Sequence, residues 1–173
     1  MTLRGVVAIA SIVLAGCTTA GTTLCENLHL AGRLWVAIDS PWLSPPAELG
    51  NPSRSAAARV VRFSDDGAFA MIACTITEYQ KTLYISQGDG QAVFLGTWRR
   101  DGSEIHADVR LVSETVRRPT FSYPGPSELH RFRCISSGPT REELLEGSRR
   151  FSPTDRLAQP DFDQYVKSGS PSP

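Results

Sequence analysis

From Arg59 onward, apolar and polar residues alternate in short runs separated by turn dipeptides. The clearest run sets Ile105, Ala107, Val109 and Leu111 against His106, Asp108 and Arg110. A period of two puts one set on each face of a strand, one toward a core and one toward water. The same alternation sets His130, Phe132 and Cys134 against Leu129, Arg131 and Arg133, with Phe132 and Cys134 read as inward. Six runs read as strands on this pattern: 59–63, 68–77, 82–86, 91–99, 104–113 and 128–136. Asp66-Gly67, Asp89-Gly90 and Asp101-Gly102 fall between them. Asp-Gly supplies the positive φ values that tight hairpin turns need, so an antiparallel meander is expected.

Upstream, residues 28–38 are rich in Leu, Val and Ile around Trp35 and suggest a first strand, with Gly32 as a bend or bulge. Residues 39–55 carry four prolines and read as a long surface loop. Helical pattern is scarce. Thr140 with Glu143 forms a capping-box spacing ahead of Leu144 and Leu145, which predicts one short helix from Arg141 to Arg150. Beyond Phe151 the chain is rich in Pro, Ser and Gly, and 151–173 is expected to be a disordered tail. The fold class is therefore mainly β: a small antiparallel meander or barrel with one short C-terminal helix.

The N-terminus does not belong to that fold. Arg4 precedes an apolar run from Gly5 to Leu14, then Leu14-Ala15-Gly16-Cys17. Ten apolar residues span roughly 15 Å as a helix, about half the hydrocarbon thickness of a bilayer, which suits a signal peptide. Leu-Ala-Gly-Cys resembles the lipobox of bacterial lipoproteins. The resemblance implies a signal peptide over 1–16, cleavage before Cys17, and acylation of that residue. It also implies a lipidated tether over 17–24 and a folded domain over 25–150. Acyl chains contribute roughly 0.8 kcal/mol per buried methylene, so a multiply acylated Cys17 would hold the chain at a membrane. Thr18, rather than Asp, after the Cys resembles the default sorting signal for the outer membrane of Gram-negative envelopes, facing the periplasm.

The 18 basic and 18 acidic residues balance, so nucleic acid is not an expected partner. Two further patterns resemble small lipocalin-like barrels of envelope lipoproteins. These are Asp66-Gly67-Ala68-Phe69, and Gly96-Thr97-Trp98 running to Asp101-Gly102. That resemblance covers roughly Arg59 to Val112 and implies architecture only.

With Cys17 lipidated, Cys25, Cys74 and Cys134 remain, an odd number for an oxidising compartment. In a meander closed by an even number of strands, the first and last lie side by side. Cys25 precedes the first strand and Cys134 ends the last of the runs above. The expected bridge is Cys25 to Cys134, closing a loop of about 100 residues, for which chain entropy predicts up to roughly 4 to 5 kcal/mol. Cys74 would then be a buried thiol beside Ile72 and Ile76, with a Cys74–Cys134 bridge as the competing arrangement.

Candidate chemistry is sparse. The nucleophile elbow, the phosphate-cradling Gly-Lys loop and the His-Glu-x-x-His helix are absent from the sequence. His29, His106 and His130 share no ligand spacing, so neither a metal nor a cofactor is expected. Asp65-Asp66 and Glu142-Glu143 suit turn and cap roles, and Arg99-Arg100, Arg117-Arg118 and Arg149-Arg150 suit a solvated surface. Most aromatics suit the core. Trp42 differs, lying in the Pro-rich loop as a staple over the barrel mouth or a contact for a partner. The functional expectation is a non-enzymatic envelope lipoprotein that binds a protein partner or a small apolar ligand. An envelope hydrolase whose carboxylates meet only in the fold, or a structural or stress-related lipoprotein, are the alternatives.

Overall fold

The computed structural model describes residues 28–44, 53–86, 91–115, 120–122, 125–136 and 142–169. In chain order these give strands β1 (Leu34–Ile38), β2 (Arg54–Phe63), β3 (Ala68–Tyr79), β4 (Thr82–Ser86), β5 (Gln91–Asp101) and β6 (Glu104–Thr115). There follow β7 (Thr120–Ser122), β8 (Ser127–Ser136), β9 (Glu142–Glu146), β10 (Arg149–Thr154) and helix α1 (Gln159–Gly169). Every strand pairing is antiparallel. Because β1 pairs with both β2 and β10, and β2 also pairs with β3, the sheet closes on itself. Eight strands form the ring, β4 extends from β3 and β7 from β6. The expected small antiparallel barrel is this up-and-down closure, which leaves the ring without an open edge.

Glycine and Asp set the turns where the sequence placed them. Gly67 (φ +82°) and Gly102 (φ +58°) adopt the left-handed conformation. The Asp66 carboxylate accepts the Ala68 amide at 3.0 Å. The β3–β4 turn obeys the same geometry without glycine, with Gln80 at φ +49° and Lys81 at +67°.

Alternation along the strands builds two cores. The inward set includes Trp35, Phe63, Phe69, Ile105, Phe132, Leu144 and Phe151, all essentially inaccessible. In the ring β2 and β8 lie four strands apart, on opposite walls. The Phe63 and Phe132 rings nevertheless touch edge to face, with centroids 5.7 Å apart. Phe132 continues to Phe151 at 5.5 Å and Phe63 to Trp98 at 5.4 Å. Rings meeting across the axis leave the middle of the barrel filled. One end is also closed, because Leu28 and Leu30 belong to the inner core. Trp35 Nε1 donates to the Leu30 carbonyl at 3.4 Å, and the Arg100 guanidinium to that of Leu28 at 3.2 Å.

The outward set on β1 to β5 includes Val36, Val60, Ile72, Ile76, Leu83 and Ile85, covered by Leu157 and α1 through Phe162, Tyr165 and Val166. Asp163 of α1 pairs with Arg62 of β2, whose guanidinium lies 5.1 Å from the Phe162 ring centre. Tyr165 donates to the Ile85 carbonyl at 3.1 Å, and the Leu83 amide to the Arg156 carbonyl at 3.0 Å. These contacts cover part of the outer edge of β4, which would otherwise offer unpaired backbone groups.

Four expectations change. The capping-box segment expected as a helix from Arg141 to Arg150 is, over its described part, the β9–β10 hairpin, turning at Gly147 (φ +57°). Leu144 is needed inside the barrel and the ring needs two more strands to close, so ladder hydrogen bonds override local helix preference. The short C-terminal helix exists, but as α1, inside the segment expected to be disordered; folded structure runs to Gly169 rather than ending at Arg150. Strand β2 begins at Arg54, within the expected loop. The strand bearing Cys134 is β8, which pairs with β6 and β9 and is not a neighbour of β1, so the adjacency used to pair it with Cys25 does not hold.

Candidate functional site

After β1 the chain folds back along β2. The Asp39 amide donates to the Ala57 carbonyl at 2.8 Å, Ser40 Oγ accepts the Ala57 amide at 2.9 Å, and Leu43 and Ser55 exchange two backbone bonds. This seats Trp42 on the outside of the barrel, with the Arg54 guanidinium 4.6 Å from its ring centre. Trp42 thus does not cover the barrel mouth. It forms one wall of a groove of about 770 Å³ on the flank, floored by Val36, Ile38, Leu83 and Pro153 and lined by Arg54, Arg149, Arg150, Arg156 and Asp39. Such a volume falls in the range of ligand sites, roughly 300–1,000 Å³.

Carboxylates set behind the groove hold its arginines. Glu78 on β3 binds two of them, Arg54 at 2.5 Å and Arg156 through its other oxygen. Arg156 also donates to the Lys81 carbonyl at 2.6 Å. Burial raises the Glu78 pKa, but the hydrogen bonds and charges of the two arginines outweigh it and leave it below the ordinary value. Arg150 pairs with the buried Glu143 at 3.2 Å, and Arg149 with Asp39 at 2.8 Å. Arg54 and Arg156 are a hundred residues apart in the chain, and only barrel closure brings them to one acid. No linear spacing announces this, and Arg149-Arg150 read in sequence as ordinary solvated surface.

A second polar cluster sits at the rim of the barrel, at the end opposite Leu28 and Leu30, and shares Asp39 and Arg149 with the groove. Asp39, Arg59, His130, Glu146 and Arg149 share the inward parity of Ala37, Val61, Phe132, Leu144 and Phe151. His130 Nδ1 bonds the Glu146 carboxylate, and Asp39 forms an ion pair with Arg59 at 3.4 Å. Burial pushes the Glu146 pKa up, but the His130 hydrogen bond and the charges of His130, Arg59 and Arg149 bring it below the ordinary value. This layer closes the aromatic core with charge, a poor environment for an apolar ligand.

No family model, curated protein or solved structure matches the chain.

Of the residues expected to matter, Trp42 lies at the groove. Cys17 and Cys25 fall outside the described residues, as do Asp89 and Gly90. Cys74 is a free, buried thiol among Ile72 and Ile76, as expected, so the competing Cys74–Cys134 bridge is excluded. Burial pushes its pKa up to about 12. Cys134 is buried in the inner core. His106 lies 3.4 Å from Glu104, and no group of three metal-ligating side chains occurs among the described residues. The Asp66–Phe69 and Gly96–Trp98 segments meet in space: Trp98 donates its indole to the Ser64 carbonyl at 2.9 Å and its amide to that of Gly67 at 2.8 Å.

Proposed function

We propose that the chain is a non-enzymatic, lipid-anchored protein of the bacterial cell envelope, whose filled barrel is a rigid carrier for a partner-binding groove on its flank. The anchor rests on Leu14-Ala15-Gly16-Cys17. One observation carries the choice of binding mode: Phe63 and Phe132 touch across the barrel, which favours a protein partner on the outside over a small apolar ligand within. Trp42, the aromatic that the sequence set apart, borders the groove. The hydrolase alternative gains little from Glu146 beside His130, because its lowered pKa disfavours the protonated carboxyl that a general acid needs.

The reading includes a Cys25–Cys134 disulfide, now supported by a different route. The Cys134 amide bonds the Ser103 carbonyl at 3.3 Å, and Arg100, on the same hairpin, holds Leu28. Cys25 is three residues from Leu28, a span of roughly 10 Å when extended. Non-reducing peptide mapping should recover the 25–134 linkage, and an alkylated Cys134 would count against it.

The function has two tests. Cys17→Ser should release or mislocalise a still-folded protein and remove the lipid mass from the N-terminal peptide; membrane retention would contradict the anchor. A photo-crosslinking residue in place of Trp42 should trap one discrete partner in living cells, whereas the same residue at the exposed Leu129 should not. Equal labelling at both positions would contradict the groove.

A further inference from the structure

The groove's charges are layered, and the layering points to a class of partner. The arginine side chains are 47% (Arg54), 42% (Arg156), 63% (Arg150) and 38% (Arg149) exposed, whereas Glu78 and Glu143 are 13% and 7% exposed. Acids tucked behind exposed guanidinium groups fix those groups in place while leaving them as the outward charge. A guanidinium has five N–H donors, and the contacts to Glu78, Glu143, Asp39 and Lys81 use only some of them on each arginine. The remaining donors suit a fork-to-fork match with carboxylates.

Two pairs of arginines border the groove: Arg54 and Arg156, both on Glu78, and Arg149 and Arg150, at the start of β10. Trp42 and the half-exposed Ile38 line the same groove. β1 and β10 each have a neighbour on both sides, so backbone addition to a free edge is closed and side chains must do the recognising. Val36 and Leu83 are nearly buried in the floor, which leaves no apolar sleeve for acyl chains. We infer that the groove binds an acidic peptide segment of a partner protein, with carboxylates on the two arginine pairs and an apolar residue against Trp42. The inference rests on the groove being the partner site.

The test uses the full chain in phosphatidylcholine nanodiscs. The probes are a fluorescein-labelled twelve-residue peptide of alternating Glu and Val, its Gln-for-Glu counterpart, and phosphatidylglycerol vesicles. The acidic peptide should bind, weaken with salt, and lose about tenfold or more in affinity with Arg150→Gln and with Arg54→Gln; the Gln peptide should not bind. Arg54→Gln leaves Glu78 bonded to Arg156, and an unchanged melting curve would confirm folding. Acidic-peptide binding insensitive to both substitutions would overturn the proposal. Arginine-dependent vesicle binding without peptide binding would overturn the peptide class and leave the groove as a site. No binding by any probe, together with no crosslink at position 42, would overturn both readings.

Discussion

The same strands build two cores of different character. Inside, rings from opposite walls interlock edge to face, so each side chain is held by partners on strands that the chain brings together only on closure. Outside, the aliphatic face of β1 to β5 is covered largely by the last stretch of chain, Leu157 and α1. The inner core should therefore be coupled to the whole fold and the outer core to one helix. A filled interior gives shape without a site, which leaves the flank to carry recognition.

The largest expected effect breaks the inner core. Phe132→Ala removes a ring touching Phe63, Phe69, Phe151 and His130, and should cost about 3–5 kcal/mol, read as a lower urea midpoint for the whole domain. Next is Gly96→Ala: a Cβ there would lie 1.9 Å from the Asp108 carbonyl oxygen, so β5 and β6 would have to part, at a cost of roughly 1–3 kcal/mol.

An outer-core change should behave differently. Phe162→Ala should loosen α1 while the β-sheet circular dichroism persists. Cys74, unreactive toward maleimide in the native protein because burial holds its pKa near 12, should become labelled. Loss of the whole sheet signal would show that the two cores are one cooperative unit. The smallest effect concerns acid. The Glu146 pKa is lowered by folding, so its stabilisation is fully present above the ordinary carboxylate range and is lost as pH falls through the lowered value. Glu146→Gln should flatten that acid limb; an unchanged pH profile would count against the His130–Glu146 contact.

The inner core was the legible half. Ile105, Ala107 and Val109 alternate as strands must, and Asp66-Gly67 and Asp101-Gly102 turn where they should. The hairpin of β9 and β10 was not legible, because Glu142 to Glu146 has good local helix chemistry and becomes a strand only through pairing with β8 and β10. The signal for α1 was present but faint: Pro160 suits a first helical turn, and Phe162, Tyr165 and Val166 recur at helical spacing. Trp42 stood out because an aromatic in a Pro-rich loop has no strand face to explain it. Its neighbours did not, since Arg54, Glu78 and Arg156 become a cluster only through tertiary closure.

The claim that the barrel is filled, with recognition on its flank, can be tested by titrating an apolar fluorescent naphthylamine into the Cys17→Ser protein and its Phe132→Ala derivative. The account predicts no saturable binding to the first, and binding to the second, whose truncation opens an apolar cavity. Saturable binding to the Cys17→Ser protein, with quenching of the buried tryptophans, would contradict it.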